Sequence, residues 1–435
     1  MLRDSKIEVD PPDTYWRALI MERVKQIEIL KELMSQVDEK RNVDAGRMVE
    51  NPVASYTCPD VAAREWEVFF RDHPQIIGMT GDLPSPGSFM TVDDFGTPVL
   101  ACRDAEGNFR AFLNACRHRG VKLVTEERGE KTRFSCPFHA WTYDNSGALM
   151  AVPQPGHFGA VDKPSLGLIE LPAVESHGLL FVHPKRDGTI DVDALLGELG
   201  PEIANWKFER LQRTGETEIT KRLNWKLAND TFGETYHFQK LHKNTLGQLF
   251  HGDNLAYETF GRNHRFVFAS RFIDMLREAP EEEWALPMGA TLLYFIFPNI
   301  QIIVGRGTTN LVKIYPHKDD PARSTSRICH YFTENAAAAE AEALASGHAL
   351  TLDEVYDFEA RKEKTLTYAV INEVFDSTIE QEDYAMGERI QVAAESGELD
   401  TVVFGRNEPA LHHYHDSYRA ALGLEPLGEY EGRPE

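Results

Sequence analysis

The chain contains no run of about 18 consecutive apolar residues, so no stretch reads as a transmembrane helix. Its start, MLRDSKIEVDPPD, lacks the basic-then-apolar pattern of a signal peptide, and a cytoplasmic protein is expected. Cysteine is scarce. Cys58, Cys102, Cys116, Cys136 and Cys329 are too few and too scattered for a disulfide scaffold in 435 residues. Basic residues are outnumbered, 46 Lys and Arg against 69 Asp and Glu, for a formal charge of −23. Phosphate backbones are bound by Lys and Arg, so this deficit argues against a nucleic-acid or anionic-membrane partner. A Gly-rich dinucleotide fingerprint and a plant-type four-cysteine set are also missing, so any nicotinamide electrons must come through another protein.

What is present changes texture along the chain. After Pro11-Pro12, the residues Trp16, Leu19, Ile20, Val24, Ile27, Leu30, Leu33, Met34 and Val37 recur at helical spacing, which predicts an amphipathic helix from about Asp13 to Asp38. Such a stripe must cover something, on its own subunit or on a neighbour. From about Val53 to Gly167, short alternating runs such as GSFMTVDDFGTPVLACRDAEGNFRAFLNAC, with a hairpin turn at 104–107, predict a small antiparallel β unit. GLIELPAVESHGLLFVHPKRDG adds two closing strands, in which His177 and His183 read as structural, and DVDALLGELGPEIANW reads as a helix leading out. Beyond Asp191, GETEITKRLNW, HRFVFASRF, ATLLYFIFPNIQIIV, TNLVKIYPHK and TSRICHYFTE read as strands of a mostly antiparallel sheet. Helices are expected near 226–243, 333–345 (the alanine-rich ENAAAAEAEALASG, a solvated helix or insertion), 352–375 and 377–396, giving an α+β unit.

Two stretches carry metal chemistry. Cys116-Arg-His118 is followed, after seventeen residues, by Cys136-Pro-Phe-His139. Two thiolates and two imidazoles in this order suit a Rieske 2Fe-2S centre, where the cysteines hold one iron and the histidines the other. The competing reading is a Cys2His2 zinc site, but zinc motifs usually pair Cys with Cys and His with His along the chain. The second stretch is NWKLANDTFGETYHFQKLHKNT, residues 224–245. It offers His237 and His242 to one ion and keeps Glu234 near them. Two imidazoles plus one remote carboxylate form the facial triad of non-heme Fe(II) oxygenases. The five-residue spacing, and Phe238 after the first His, distinguish it from the helical zinc pair of metalloproteases.

NACRHRG together with CPFHAWTYDNSG resembles the Rieske domain of ring-hydroxylating oxygenases. Phe138 and Ala140 depart from that family's usual Tyr and Gly, and Trp141, which carries no hydroxyl, is retained. The resemblance implies an α+β chain of three parts: an N-terminal helical extension (1–50), an antiparallel β Rieske 2Fe-2S domain (51–190) and a helix-grip-like catalytic domain of antiparallel sheet and helices (191–435). It implies cluster ligands Cys116, His118, Cys136 and His139, and a mononuclear Fe(2+) held by His237, His242 and a carboxylate of EQEDYAMGERIQ. Spacing alone leaves Glu380, Glu382 and Asp383 open. The family's Glu-Asp, Glu, Gln pattern selects Asp383, with Glu388 and Gln391 following. Glu234 matches the family's bridging Asp, which links an iron-ligand His of one subunit to a Rieske His of the next. Glu at this place also occurs in branches acting on carnitine and glycine betaine. Asp230 stands where many relatives have Asn, at a capping or pocket-lining position. The function implied is a terminal oxygenase, a homotrimer with or without a β subunit. It would take NADH or NADPH electrons through a reductase, with or without a ferredoxin, and use O2 to hydroxylate or demethylate a small, aromatic substrate. Phe232, Phe238, Leu293 and Phe295 are candidates to line the pocket. The alternatives are oxygenation of a quaternary amine and a non-catalytic Rieske electron carrier.

Overall fold

The structure is a computed structural model and describes residues 21–432. Its centre is a seven-stranded antiparallel sheet in the order Gln212–Lys221, Asp320–Phe332, Thr308–His317, Ile300–Val304, Ala290–Ile296, Asn263–Ala269 and Ala256–Phe260. Strand residues alternate faces, and both faces of this sheet are covered, so ATLLYFI is apolar throughout and buried at every position. One face presents Phe266, Phe268, Leu293, Phe295, Ile303 and Val312 to the segment around Trp225 and Ala228 and to Ile379 and Tyr384. The other presents Val267, Leu292, Tyr294, Ile302 and Leu311 to Leu30, Leu33 and Met34.

Those last residues belong to the helix Arg23–Glu39, which therefore packs on the chain's own sheet. Gln36 ties it there, donating to the Leu255 carbonyl (3.0 Å) and accepting from the Leu255 N–H (2.7 Å). The expected stripe holds from Ile27 onward, while Val24 is 66% exposed. Trp16, Leu19 and Ile20 lie outside the described residues.

The β unit that precedes the large sheet contains a five-stranded antiparallel sheet (Glu170–Leu171, Phe109–Leu113, Val99–Arg103, Ser88–Val92, Arg128–Glu130) and two three-stranded ones. The hairpin expected at 104–107 joins Val99–Arg103 to Phe109–Leu113, with Asp104 accepting from the N–H groups of Glu106 and Asn108. Leu100, Phe112, Cys116, Cys136, Trp141 and Tyr143 form a small core of their own. The rest of the unit shares its packing with the large sheet: Phe70 and Phe95 both meet Tyr315, at 6.1 and 6.3 Å between ring centroids. His183 accepts from the Lys185 N–H in a turn (3.1 Å), in keeping with a structural role.

Several elements differ from the sequence expectation. ATLLYFIFPNIQIIV is two strands, Ala290–Ile296 and Ile300–Val304, joined by a hairpin at 297–299. The closing segment carries three short strands, Glu170–Leu171, Ala173–Ser176 and Leu179–Val182. The helix leading out is broken into Val192–Leu196, a 3-10 turn Gly197–Leu199 and Gly200–Asn205, with Gly197 at φ 54°. The segment near 352–375 is divided into a 3-10 turn Leu352–Glu354 and the helices Phe358–Glu363 and Tyr368–Thr378, the last capped by the Thr367 side chain on the Val370 N–H. From Tyr368 the helical path continues to Glu395 through a π turn at Ile379–Asp383.

The helix expected near 226–243 ends early, at Trp225–Asp230. Asn224 caps its start by accepting from the Lys226 N–H (2.9 Å). A new turn then begins because the Glu234 carboxylate accepts from the N–H groups of Tyr236 and His237, as a cap does. His237 and His242 thus sit on consecutive short turns. No helix of the described residues is long and apolar enough to cross a membrane.

Candidate metal centres

The two Cys/His loops are built alike. The Cys116 carbonyl accepts from the Gly120 N–H (2.9 Å), and the Cys136 carbonyl accepts from the Ala140 N–H (2.9 Å). The fourth residue after each cysteine is left-handed, Gly120 at φ 75° and Ala140 at φ 56°. Each loop is then closed by its cysteine N–H, Cys116 to the Val121 carbonyl (2.9 Å) and Cys136 to the Trp141 carbonyl (2.8 Å). The effect is to point both cysteines into the small core and to bring the rings of His118 and His139 to 4.7 Å. Trp141 stacks on His118 at 5.2 Å.

These residues fit an iron-sulfur cluster. Both thiols are buried, His118 Nδ1 is enclosed without a hydrogen-bond partner, and desolvation, with His139 and Arg119, lowers the His118 pKa and favours the neutral, ligating imidazole. One residue that the sequence reading passes over is Tyr143, whose hydroxyl lies 3.4 Å from Cys116 Sγ and accepts from the Arg117 N–H (3.0 Å). Trp141 brings no hydroxyl, but Tyr143, two residues on, does.

The second centre is a tight triangle. His237 Nε2 and His242 Nε2 are 3.1 Å apart, and Asp383 Oδ1 lies 3.3 and 3.2 Å from them. Two donors at right angles, each about 2.1 Å from one ion, stand about 3.0 Å apart, so the triangle has the dimensions of one face of an octahedral site. Among the described residues this is the group of three suited to a single ion. Burial opposes a charge on His237, but the Asp383 and Glu234 carboxylates outweigh it and raise its pKa to about 10. Burial likewise disfavours the Asp383 carboxylate, and the two imidazoles overcome it and lower its pKa.

The carboxylate run resolves into three tasks. Glu380 pairs with Lys221 (2.9 Å), Asp383 completes the triangle, and Glu382 accepts from His242 Nδ1 (2.7 Å). Glu234 contacts His237 Nδ1, so the pairing expected from the sequence is present although no helix joins the two. Asp230 accepts from the Tyr56 hydroxyl (2.7 Å) and pairs with His415 Nε2 (2.9 Å). Of the four candidate lining residues, Phe238 packs edge-on to His237 (5.1 Å) and His242 (5.4 Å), and Leu293 and Phe295 lie on the sheet face turned toward it.

Residues 73–171 match the Rieske [2Fe-2S] domain, and residues 208–424 match the ring hydroxylating alpha subunit (catalytic domain). The chain belongs to the Rieske non-heme iron oxygenase family. Among curated members it is 31% identical over 204 residues to the glycine betaine monooxygenase oxygenase subunit of Chromohalobacter salexigens, covering 47% of this chain and 45% of that one. It is 30% identical over 204 residues to the anthranilate 1,2-dioxygenase large subunit of Acinetobacter baylyi, covering 45% of this chain and 43% of that one. The chain thus spans less than half the length of these family members. Two solved Rieske oxygenases share its fold. One is a quaternary ammonium Rieske monooxygenase in complex with L-carnitine (TM-score 0.67, 18% identity, 87% of this chain and 96% of that one). The other is naphthalene 1,2-dioxygenase from Rhodococcus sp. bound to indole (TM-score 0.62, 17% identity, 93% and 99%).

Proposed function

We propose that this chain is the oxygenase component of a multicomponent system, using O2 and electrons from a separate reductase, with or without a ferredoxin, to hydroxylate or demethylate a small aromatic substrate. The observation that carries this reading is the coexistence of a paired Cys/His loop structure with a distinct His237, His242 and Asp383 triangle. When bound, the cluster supplies electrons and the mononuclear iron supplies open coordination positions for O2. Cys116, His118, Cys136 and His139 would hold the first group, and His237, His242 and Asp383 the second. Glu234 orients His237 through Nδ1, and it would carry the connection to a Rieske histidine of the next subunit in a head-to-tail trimer, with or without a β subunit. The proposed parts are 1–50, 51–190 and 191–435, and the cytoplasm is the proposed location.

For the substrate, the neighbourhood of the triangle is phenylalanine-rich. Phe238 meets Phe268 edge-to-face at 5.6 Å, and Phe268 meets Phe250 at 5.1 Å. Such rings can pack on a planar aromatic guest, and the same rings can hold a quaternary ammonium group by cation–π contact. A quaternary amine is the second reading, supported by Glu234 and by relatives named for glycine betaine.

Iron analysis tests the assignment. The intact protein is expected to carry about three irons per chain, two from the cluster and one mononuclear. His237→Ala is expected to keep the red-brown cluster spectrum and lose the third iron. Two irons in the unaltered protein would instead support an electron carrier, and a colourless protein a zinc site.

A further inference from the structure

We infer that Glu382 is a positioning residue for the mononuclear site: its carboxylate fixes the tautomer and ring direction of His242, and Thr245 fixes the carboxylate. The inference rests on reading His237, His242 and Asp383 as the ligands. The His242 side chain is fully enclosed, with Glu382 Oε2 at 2.7 Å from Nδ1 on one side and Asp383 Oδ1 at 3.2 Å from Nε2 on the other. A neutral imidazole has one N–H. An acceptor at Nδ1 holds the proton there and leaves the Nε2 lone pair free for an ion. The Thr245 hydroxyl donates to the same Glu382 Oε2 (2.9 Å), so the acceptor atom is itself held in place.

The arrangement depends on the backbone. Glu382 and Asp383 are consecutive, and on a regular helix consecutive side chains diverge by about 100°. Here both belong to the π turn Ile379–Asp383, and such an inserted residue re-aims the side chains around it. The result is one imidazole clamped at both nitrogens by adjacent carboxylates. His237 has a parallel arrangement, with Glu234 at Nδ1 and Asp383 at Nε2. Each imidazole of the triangle therefore has its own acceptor behind it, and the one behind His242 comes from the segment that also supplies Asp383.

The test is Co(II) binding to the full protein with its cluster in place and the mononuclear site emptied. Affinity is read by chelator competition, and the high-spin Co(II) EPR signal is read with the cluster oxidised and silent. Unaltered protein is expected to take up one Co(II) that His242→Ala abolishes; failure of that step would overturn the ligand assignment itself. Glu382→Ala is expected to weaken Co(II) binding on the order of 10–100-fold and to change the EPR signal. Glu382→Gln keeps an acceptor oxygen and is expected to restore most of the affinity. If Glu382→Ala binds Co(II) like the unaltered protein, or Glu382→Gln is as weak as Glu382→Ala, the positioning role is refuted with the ligand assignment intact. Should Glu382→Ala fail to fold, judged by loss of the cluster absorbance, Thr245→Val decides. Weakened Co(II) binding supports the role, and unchanged binding overturns it.

Discussion

At the scale of the residue, Ala140 is held at φ 56° while exposed at the tip of its loop, in the position that corresponds to Gly120 of the other loop. A left-handed alanine places its Cβ against the following carbonyl and costs about 1–2 kcal/mol, and glycine avoids this at some cost in unfolded-state entropy. Ala140→Gly is therefore expected to stabilise the cluster-bearing loops by about 0.5–1 kcal/mol, seen as slower loss of cluster absorbance on heating. A variant that bleaches faster than the parent would contradict this. The sequence makes the departure from the usual glycine visible, and the backbone angle supplies its reason. The convergence of the two Cys/His loops is legible because each Cys/His pair lies within one short loop, where spacing is nearly geometry. Tyr143 and Glu382 are not legible in that way, because a hydroxyl beside Cys116 and an acceptor behind His242, 140 residues away, are products of tertiary packing.

At the scale of the element, the helix Pro409–Ala421 begins at Glu408, close to the electrostatic field of the site. Burial raises the Glu408 carboxyl to about 7; the Gly405 N–H it accepts works against this, and the charges of Glu234 and Asp230 add to it. An acid whose folded value lies above its ordinary 4.5 binds more protons folded than unfolded, so its contribution to stability declines as pH rises from about 4.5 to 7 and stays lowered above that. Solvent screening leaves about 1–2 kcal/mol of that penalty. Glu408→Gln is expected to be more stable than the parent by this amount at pH 8 and equal to it at pH 4, measured by denaturant unfolding at the two pH values. An equal difference at both would show that the carboxyl does not titrate as described. Elements read from periodicity fare unevenly for a physical reason. Strands with both faces covered, such as Ala290–Ile296, and the helix Arg23–Glu39 announce themselves through apolar pattern. The segment 231–243 has the composition of a helix, but the Glu234 carboxylate captures backbone N–H groups and starts a separate turn, an outcome no periodicity records. Spacing leaves the choice among Glu380, Glu382 and Asp383 open because a π turn cannot be read from residue spacing, and only the family pattern points to Asp383.

At the scale of the whole molecule, the β unit and the large sheet are joined by charge as well as by shared apolar packing. The Asp82 side chain, from the turn Thr80–Asp82, is fully buried and pairs with Arg128 of the β unit (2.8 Å) and with Arg213 of the large sheet (3.1 Å). It also accepts from the Met79 N–H (2.8 Å) and from the Tyr331 hydroxyl. Glu216 pairs with the same two arginines, at 2.7 and 3.0 Å. Burial alone would raise Glu216, yet Lys313 and Arg128 hold it down at about 2. Within such a network, removing one carboxylate leaves two guanidinium groups short of a counter-charge, at a cost of about 3–5 kcal/mol. Asp82→Asn preserves shape and removes only the charge, so the loss belongs to the network and not to a cavity. For a chain of 435 residues the expected outcome is a melting temperature lower by about 3–6 °C. Cluster absorbance and far-UV circular dichroism should still fall together, because Phe70, Phe95 and Tyr315 keep the two parts in one apolar core. Separate transitions for the two signals would mean that the ion pairs alone unite the cluster-bearing part with the part that holds the large sheet and the His237, His242 and Asp383 triangle. A melting temperature equal to the parent's would mean that Glu216 suffices for both arginines.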